Sequence, residues 1–127
     1  MANRTFDLIL LPGTFAICRL DPDSPIPDLP SRGFWSITRS DDELSIVCEQ
    51  EFVPSGARSE REWRCLRVAG TIDFSITGVI ASFATSLAAA NVGVFIVSTF
   101  DTDFLLVKTH DLESAIAALK QAGHVVR

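Results

Sequence analysis

Several absences narrow this sequence before any motif does. It lacks a basic excess: 11 Lys and Arg stand against 16 Asp and Glu, a net charge of −5. That balance favours solubility and argues against a phosphate-backbone partner, and no basic cluster interleaved with aromatics offsets it, so no nucleic acid is expected. The one arginine-rich stretch, "RSEREWR" at 58–64, carries Glu60 and Glu62 and reads as a solvated loop. Paired cysteines are also missing. Cys18, Cys48 and Cys65 are odd in number and widely spaced, with no C-x-x-C. That argues against a zinc site and leaves buried free thiols in a reducing cytoplasm as the expectation. The apolar run "LILL" ends at Pro12-Gly13, too short for a secretory signal. The stretch 74–97 is broken by Ser, Thr, Asn and Gly, whereas a membrane span needs about 20 predominantly apolar residues. No membrane association is expected.

Catalytic and metal signatures are lacking too. Asp41, Asp42 and Glu43 form an acidic turn without the oxygen-ligand spacing of a calcium loop. No G-x-S-x-G occurs. His110 and His124 sit at element ends with no Ser or Cys beside them, which suits surface or capping roles. No metal, cofactor or catalytic residue is therefore assigned, and the chain is read as a non-enzyme.

What is present is a 127-residue chain, 47% hydrophobic, enough for one compact domain or two small ones. "FDLILL" and "TFAICRL" read as strands around the Pro12-Gly13 turn. "DPDSPIPDLPSRG" holds four of the six prolines and is an extended connector. "FWSITRS" and "ELSIVCEQ" are two more strands, and "PSGARSERE" a loop. In the second half, apolar residues at 76, 79, 80, 83, 87 and 90 form a helical stripe. Strands "VFIVSTF" and "DFLLVKT" follow. Asp111 then offers an N-cap to "LESAIAALKQA", Gly123 stops that helix, and "HVVR" is a last strand. From Arg64 the order is β-α-β-β-α-β, a split βαβ, ferredoxin-like α+β arrangement. The first half supplies strands without a clear helix, as a degenerate copy would.

Two polar stretches interrupt this pattern. At 73–78 a loop runs into the first predicted helix. A helix start leaves backbone N–H groups unpaired and bears partial positive charge, which suits a carboxylate. Gly78 lets a ligand approach the backbone, and Ser75 or Thr77 can add a hydroxyl. The plainer reading is a cap, with Asp73 or Ser75 as N-cap. The second stretch is "STFDTD", Ser98–Asp103, between two strands. Asp103 begins the second of them and is placed to pair with a ligand cation; Asp101 is second choice. The plainer reading is a turn whose aspartates bond their own backbone.

The segments "FSITGVIAS", "VGVFIVSTFDTDFLLV" and "DLESAIAALKQAG" resemble those of an ACT domain. More narrowly they resemble the tandem-ACT branch of small bacterial proteins related to the eukaryotic cytosolic arginine sensors and to aspartate kinase regulatory domains. "CRLDPDSPIP" and "ITRSDDELSIVC" are similar to that branch as well. The resemblance implies two tandem ACT-like units, a degenerate one over 1–62 and an ACT domain over 63–127. It implies a regulatory or sensor protein that binds an amino acid or related small ligand. The ligand would meet Phe74, Ser75, Ile76, Thr77 and Gly78 on one side and Ser98, Thr99, Phe100, Asp101 and Asp103 on the other. A homodimer is implied, and any regulated protein would be a separate chain. The rival to this reading is a protein–protein interaction module with a vestigial pocket.

Overall fold

The computed structural model describes residues 4–127. Its strands are β1 (Asp7–Leu10), β2 (Phe15–Leu20), β3 (Ser36–Arg39), β4 (Leu44–Glu49), β5 (Arg58–Val68), β6 (Phe95–Ser98), β7 (Asp103–Lys108) and β8 (Val125–Val126). The α-helices are α1 (Val79–Ala89) and α2 (Leu112–Gln121). The chain forms two compact units: residues up to Pro12 together with Arg64–Arg127, and Gly13–Trp63. The units expected from the sequence are 1–62 and 63–127. The opening segment, however, groups with the second half.

Hydrogen bonding explains that regrouping. β1 runs antiparallel to β5 (Leu8 opposite Val68) and parallel to β8 (Leu8 opposite Val126). The order in this unit is therefore β6-β7-β5-β1-β8. A simple split βαβ would place β8 beside β5; here β1 lies between them. "FDLILL" reads as a strand in the sequence, but its partners are more than fifty residues away and leave no local signal.

Helices and strands of this unit share one core. Leu66 and Val68 of β5 and Leu105 and Val107 of β7 alternate by two, so each pair points to one sheet face. Val79, Phe83 and Leu87 of α1 and Ala115 and Leu119 of α2 pack into the same cluster. Both helices thus cover one face, as a ferredoxin-like unit requires. α1 begins at Val79 rather than Ile76, because Gly78 at its N-cap takes a left-handed conformation (φ +77°) that stops the helix there. Neither Asp73 nor Ser75 is the cap. Asp111 does occupy the N-cap position of α2, without a side-chain cap bond; its carboxylate meets His110 Nδ1 at 3.2 Å instead.

The unit of residues 13–63 has no α-helix among its described residues. Strands run β3-β4-β2 and on to the first part of β5. Ala16 and Cys18 of β2 and Leu44, Ile46 and Cys48 of β4 form its core face. Leu29 of the connector, with Val53 and Ala57, packs on that face where a helix would otherwise lie. Arg39 holds the connector by donating to the carbonyls of Pro22 and Ser24. Trp35, which its size would place in a core, is exposed, and its indole N–H donates to Pro30 at 2.8 Å.

The stretch read as a solvated loop is the start of β5. Residues 58–62 are exposed on both faces, so they show no period-two alternation. Their backbone pairs with β2 all the same, through Ile17–Glu60 and Cys18–Ser59. The register shifts between Phe15 and Ile17, and Glu62 has φ +67°, the mark of a bulge. All three cysteines are buried and free. Burial pushes the Cys65 thiol up to about 12, so it is no nucleophile.

Candidate functional site

The sheet and α1 bring the two polar stretches together. Asp103 has the same parity on β7 as Leu105 and Val107, so its side chain lies on the helix-covered face. Ser98 on β6 is its cross-strand partner. At this end of the sheet α1 begins, and between the two is a cleft of about 400 Å³. Of the residues proposed from the sequence, Phe74, Ile76, Gly78, Ser98, Thr99, Phe100 and Asp103 line it. Ser75, Thr77 and Asp101 do not; all three are exposed. Ile72, Asp73, Val79, Ile80, Ala81 and Thr102 also line it. The apolar stripe starts the helix at Ile76, one turn early, and so sets Val79, Ile80 and Ala81 inside the helix instead of at its head. A glycine at the end of a polar loop was the available signal.

The turn between β6 and β7 is closed by threonine, not aspartate. Thr99 N–H donates to the Thr102 carbonyl at 2.8 Å, and Thr99 Oγ1 donates to the same carbonyl at 3.0 Å. Thr102 N–H donates back to Thr99 Oγ1 at 3.3 Å. Thr102 Oγ1 then donates to the Val68 carbonyl at 2.7 Å, tying the turn to β5 inside the protein. The Asp101 carbonyl accepts from Ile72 N–H at 2.6 Å, tying it to the loop before α1. Asp101 contributes its backbone, and its carboxylate is exposed.

Asp103 is left with no turn duty. It is 8% exposed, and among the described residues its carboxylate has neither a hydrogen bond nor an ion pair. Its carboxylate opens on the cleft. Opposite it, α1 begins without any side-chain cap bond. Ser82 N–H donates to the Gly78 carbonyl at 2.9 Å, and the N–H groups of Val79, Ile80 and Ala81, one turn ahead of it at the cleft wall, have no acceptor among the described residues. A carboxylate and a helix start of opposite sign thus flank one space.

Asp73 organises the loop. Its Oδ1 accepts from Ser75 N–H at 2.8 Å, and that bond, with the Ser75 hydroxyl, holds its carboxyl below the usual carboxylate range. At the rim, Phe74 and Phe100 are 74% and 79% exposed. Their rings meet edge to face, centroids 5.0 Å apart and planes at 88°. The described residues contain no group of His, Cys, Asp and Glu able to hold a metal ion, and no helix long and apolar enough to cross a membrane.

A ferredoxin-like unit with a loop-and-hairpin cleft at the head of its first helix is an ACT-type regulatory fold. The chain belongs to the ACT domain family, whose model matches residues 58–121; a separate N-terminal-domain model matches residues 13–56. The cytosolic arginine sensor for mTORC1 subunit 1 of Homo sapiens is 30% identical over 106 residues, 77% of this chain and 32% of that protein. The Mus musculus sensor is 28% identical over 103 residues, 75% of this chain and 31% of that protein. The chain thus spans about a third of the length of these curated relatives. A crystal structure of a protein from Agrobacterium tumefaciens superposes with TM-score 0.91 at 40% identity, covering 98% of this chain and 94% of that one. The ligand-free regulatory subunit of aspartate kinase from Thermus thermophilus shares the fold, with TM-score 0.62 at 14% identity over 91% of this chain and 96% of that one.

Proposed function

We propose that this chain is a non-catalytic regulatory or sensor module that binds a free amino acid or close relative in the cleft between α1 and the β6–β7 turn. The observation that carries the reading is Asp103, a buried carboxylate without a protein cation, facing a helix start with free N–H groups. A zwitterion supplies what each side lacks: its ammonium or a cationic side chain for Asp103, and its carboxylate for the N–H groups of Val79, Ile80 and Ala81. The cleft volume, about 400 Å³, falls within the range of about 300–1,000 Å³ usual for small ligands. Ile72, Ile76 and Ile80 give an apolar wall for the body of the ligand. Kinship with arginine sensors and the fold shared with aspartate kinase regulatory subunits support the same reading. The proposed setting is cytoplasmic, as a homodimer.

The exposed Phe74–Phe100 pair supports a second reading, an interaction module that buries these rings against a partner. A thermal-shift screen of the twenty common amino acids separates the two. A concentration-dependent rise in melting temperature for one or a few of them is expected. No shift with any of them, together with a partner-dependent one, would favour the interaction module.

A further inference from the structure

A second cleft, of about 340 Å³, lies on the other flank of the first turns of α1. Arg4, Ser82, Thr85, Ser86 and His124 line it, and it shares Gly78 and Ala81 with the first. His124 is 4% exposed and packed beside Phe6 and Phe83, with ring centroids 6.0 Å and 5.0 Å away. Its Nδ1 accepts from Phe6 N–H at 3.0 Å. A neutral imidazole with one nitrogen accepting carries its proton on the other, so Nε2–H is a fixed donor. Burial lowers the pKa and keeps the ring in this neutral form. Among the described residues Nε2–H has no acceptor.

The remaining groups set the ligand class. Ser82 and Ser86 spend their hydroxyl protons on the carbonyls of Val79 and Ser82, at 2.8 and 3.0 Å, so they offer the cleft only lone pairs. The donors are His124 Nε2–H, the Arg4 guanidinium and the Thr85 hydroxyl. No acidic residue lines this cleft, although the chain carries a net charge of −5. We propose that it is a second ligand site for a phosphate group. Hydrogen phosphate has anionic oxygens for Arg4 and His124 and a P–OH donor for the serine oxygens. The inference is independent of the reading of the first cleft.

The test uses the full chain labelled with [¹⁵N]histidine at pH 7.5, titrated with sodium phosphate and, separately, with sodium chloride and sodium acetate at matched ionic strength. Phosphate is expected to move the His124 Nε2–H resonance saturably while His110 stays still. Arg4→Gln should weaken that titration about tenfold, the loss of one charge-assisted bond, and Asp103→Asn should leave it unchanged. Equal shifts with chloride, a saturable response to acetate alone, no effect of Arg4→Gln, or loss of the response in Asp103→Asn would each overturn the proposal.

Discussion

Thr102→Val tests how the hairpin that presents Asp103 is held. Thr102 is 6% exposed and donates to the Val68 carbonyl at 2.7 Å, and Val68 is fully buried. Valine keeps the β-branched shape, so packing is nearly conserved and the bond is what is lost. A net intramolecular hydrogen bond contributes about 0.5–1.5 kcal/mol, and leaving a buried group short of a partner costs about 1–3 kcal/mol. The added methyl offsets part of this. A loss of about 1–3 kcal/mol is expected, read as a lower urea midpoint at unchanged m value. Thr99→Val removes the bonds of an exposed residue and should cost less. A change below about 0.5 kcal/mol for Thr102→Val would refute the argument that this bond anchors the turn to β5.

Other outcomes follow from the same structure. Burial lowers the pKa of His124 below its ordinary 6.5, so the unfolded chain takes up the proton first. Its contribution is complete above that value and falls as pH drops through it. The urea midpoint should decline from pH 7.5 towards 5.5, and His124→Asn, which keeps an acceptor near Nδ1, should flatten that decline; an unchanged slope would assign it to other groups. Gly78→Ala should cost about 1 kcal/mol, since φ is +77° while nothing lies within 4 Å of an added Cβ. A much larger loss in chemical denaturation would mean the glycine avoids a clash rather than a backbone strain.

Most of the ACT unit was legible in the sequence because its elements announce themselves locally. Phe83 and Leu87 repeat at helical spacing, and Leu105 to Val107 form a buried central strand between turn residues. What escaped depends on distant partners. β1 joins β5 and β8 across most of the chain, and residues 58–62 form a strand through backbone bonds alone, with no apolar side chain to mark it. The candidate site was legible as two stretches but not in its division of labour. Thr99, not an aspartate, closes the turn, and this frees Asp103. Asp101 acts through its carbonyl, and Ser75 and Thr77 are exposed and do not line the cleft. His124 lies at an element end, but it is buried rather than at the surface its position suggests. That its ring is buried against Phe6 and Phe83 depends on the N-terminal segment, which no local pattern reveals.

The central claim is that Asp103 holds the cationic group of a small zwitterion. Isothermal titration of an amino acid selected by thermal shift, into the unmodified chain and into Asp103→Asn, tests it directly. Replacing a charged partner typically costs about 1.5–3 kcal/mol, roughly ten- to hundredfold in affinity. The account predicts that loss in Asp103→Asn with the turn still closed by Thr99 and the free variant at least as stable as the parent. An affinity untouched by Asp103→Asn would contradict it.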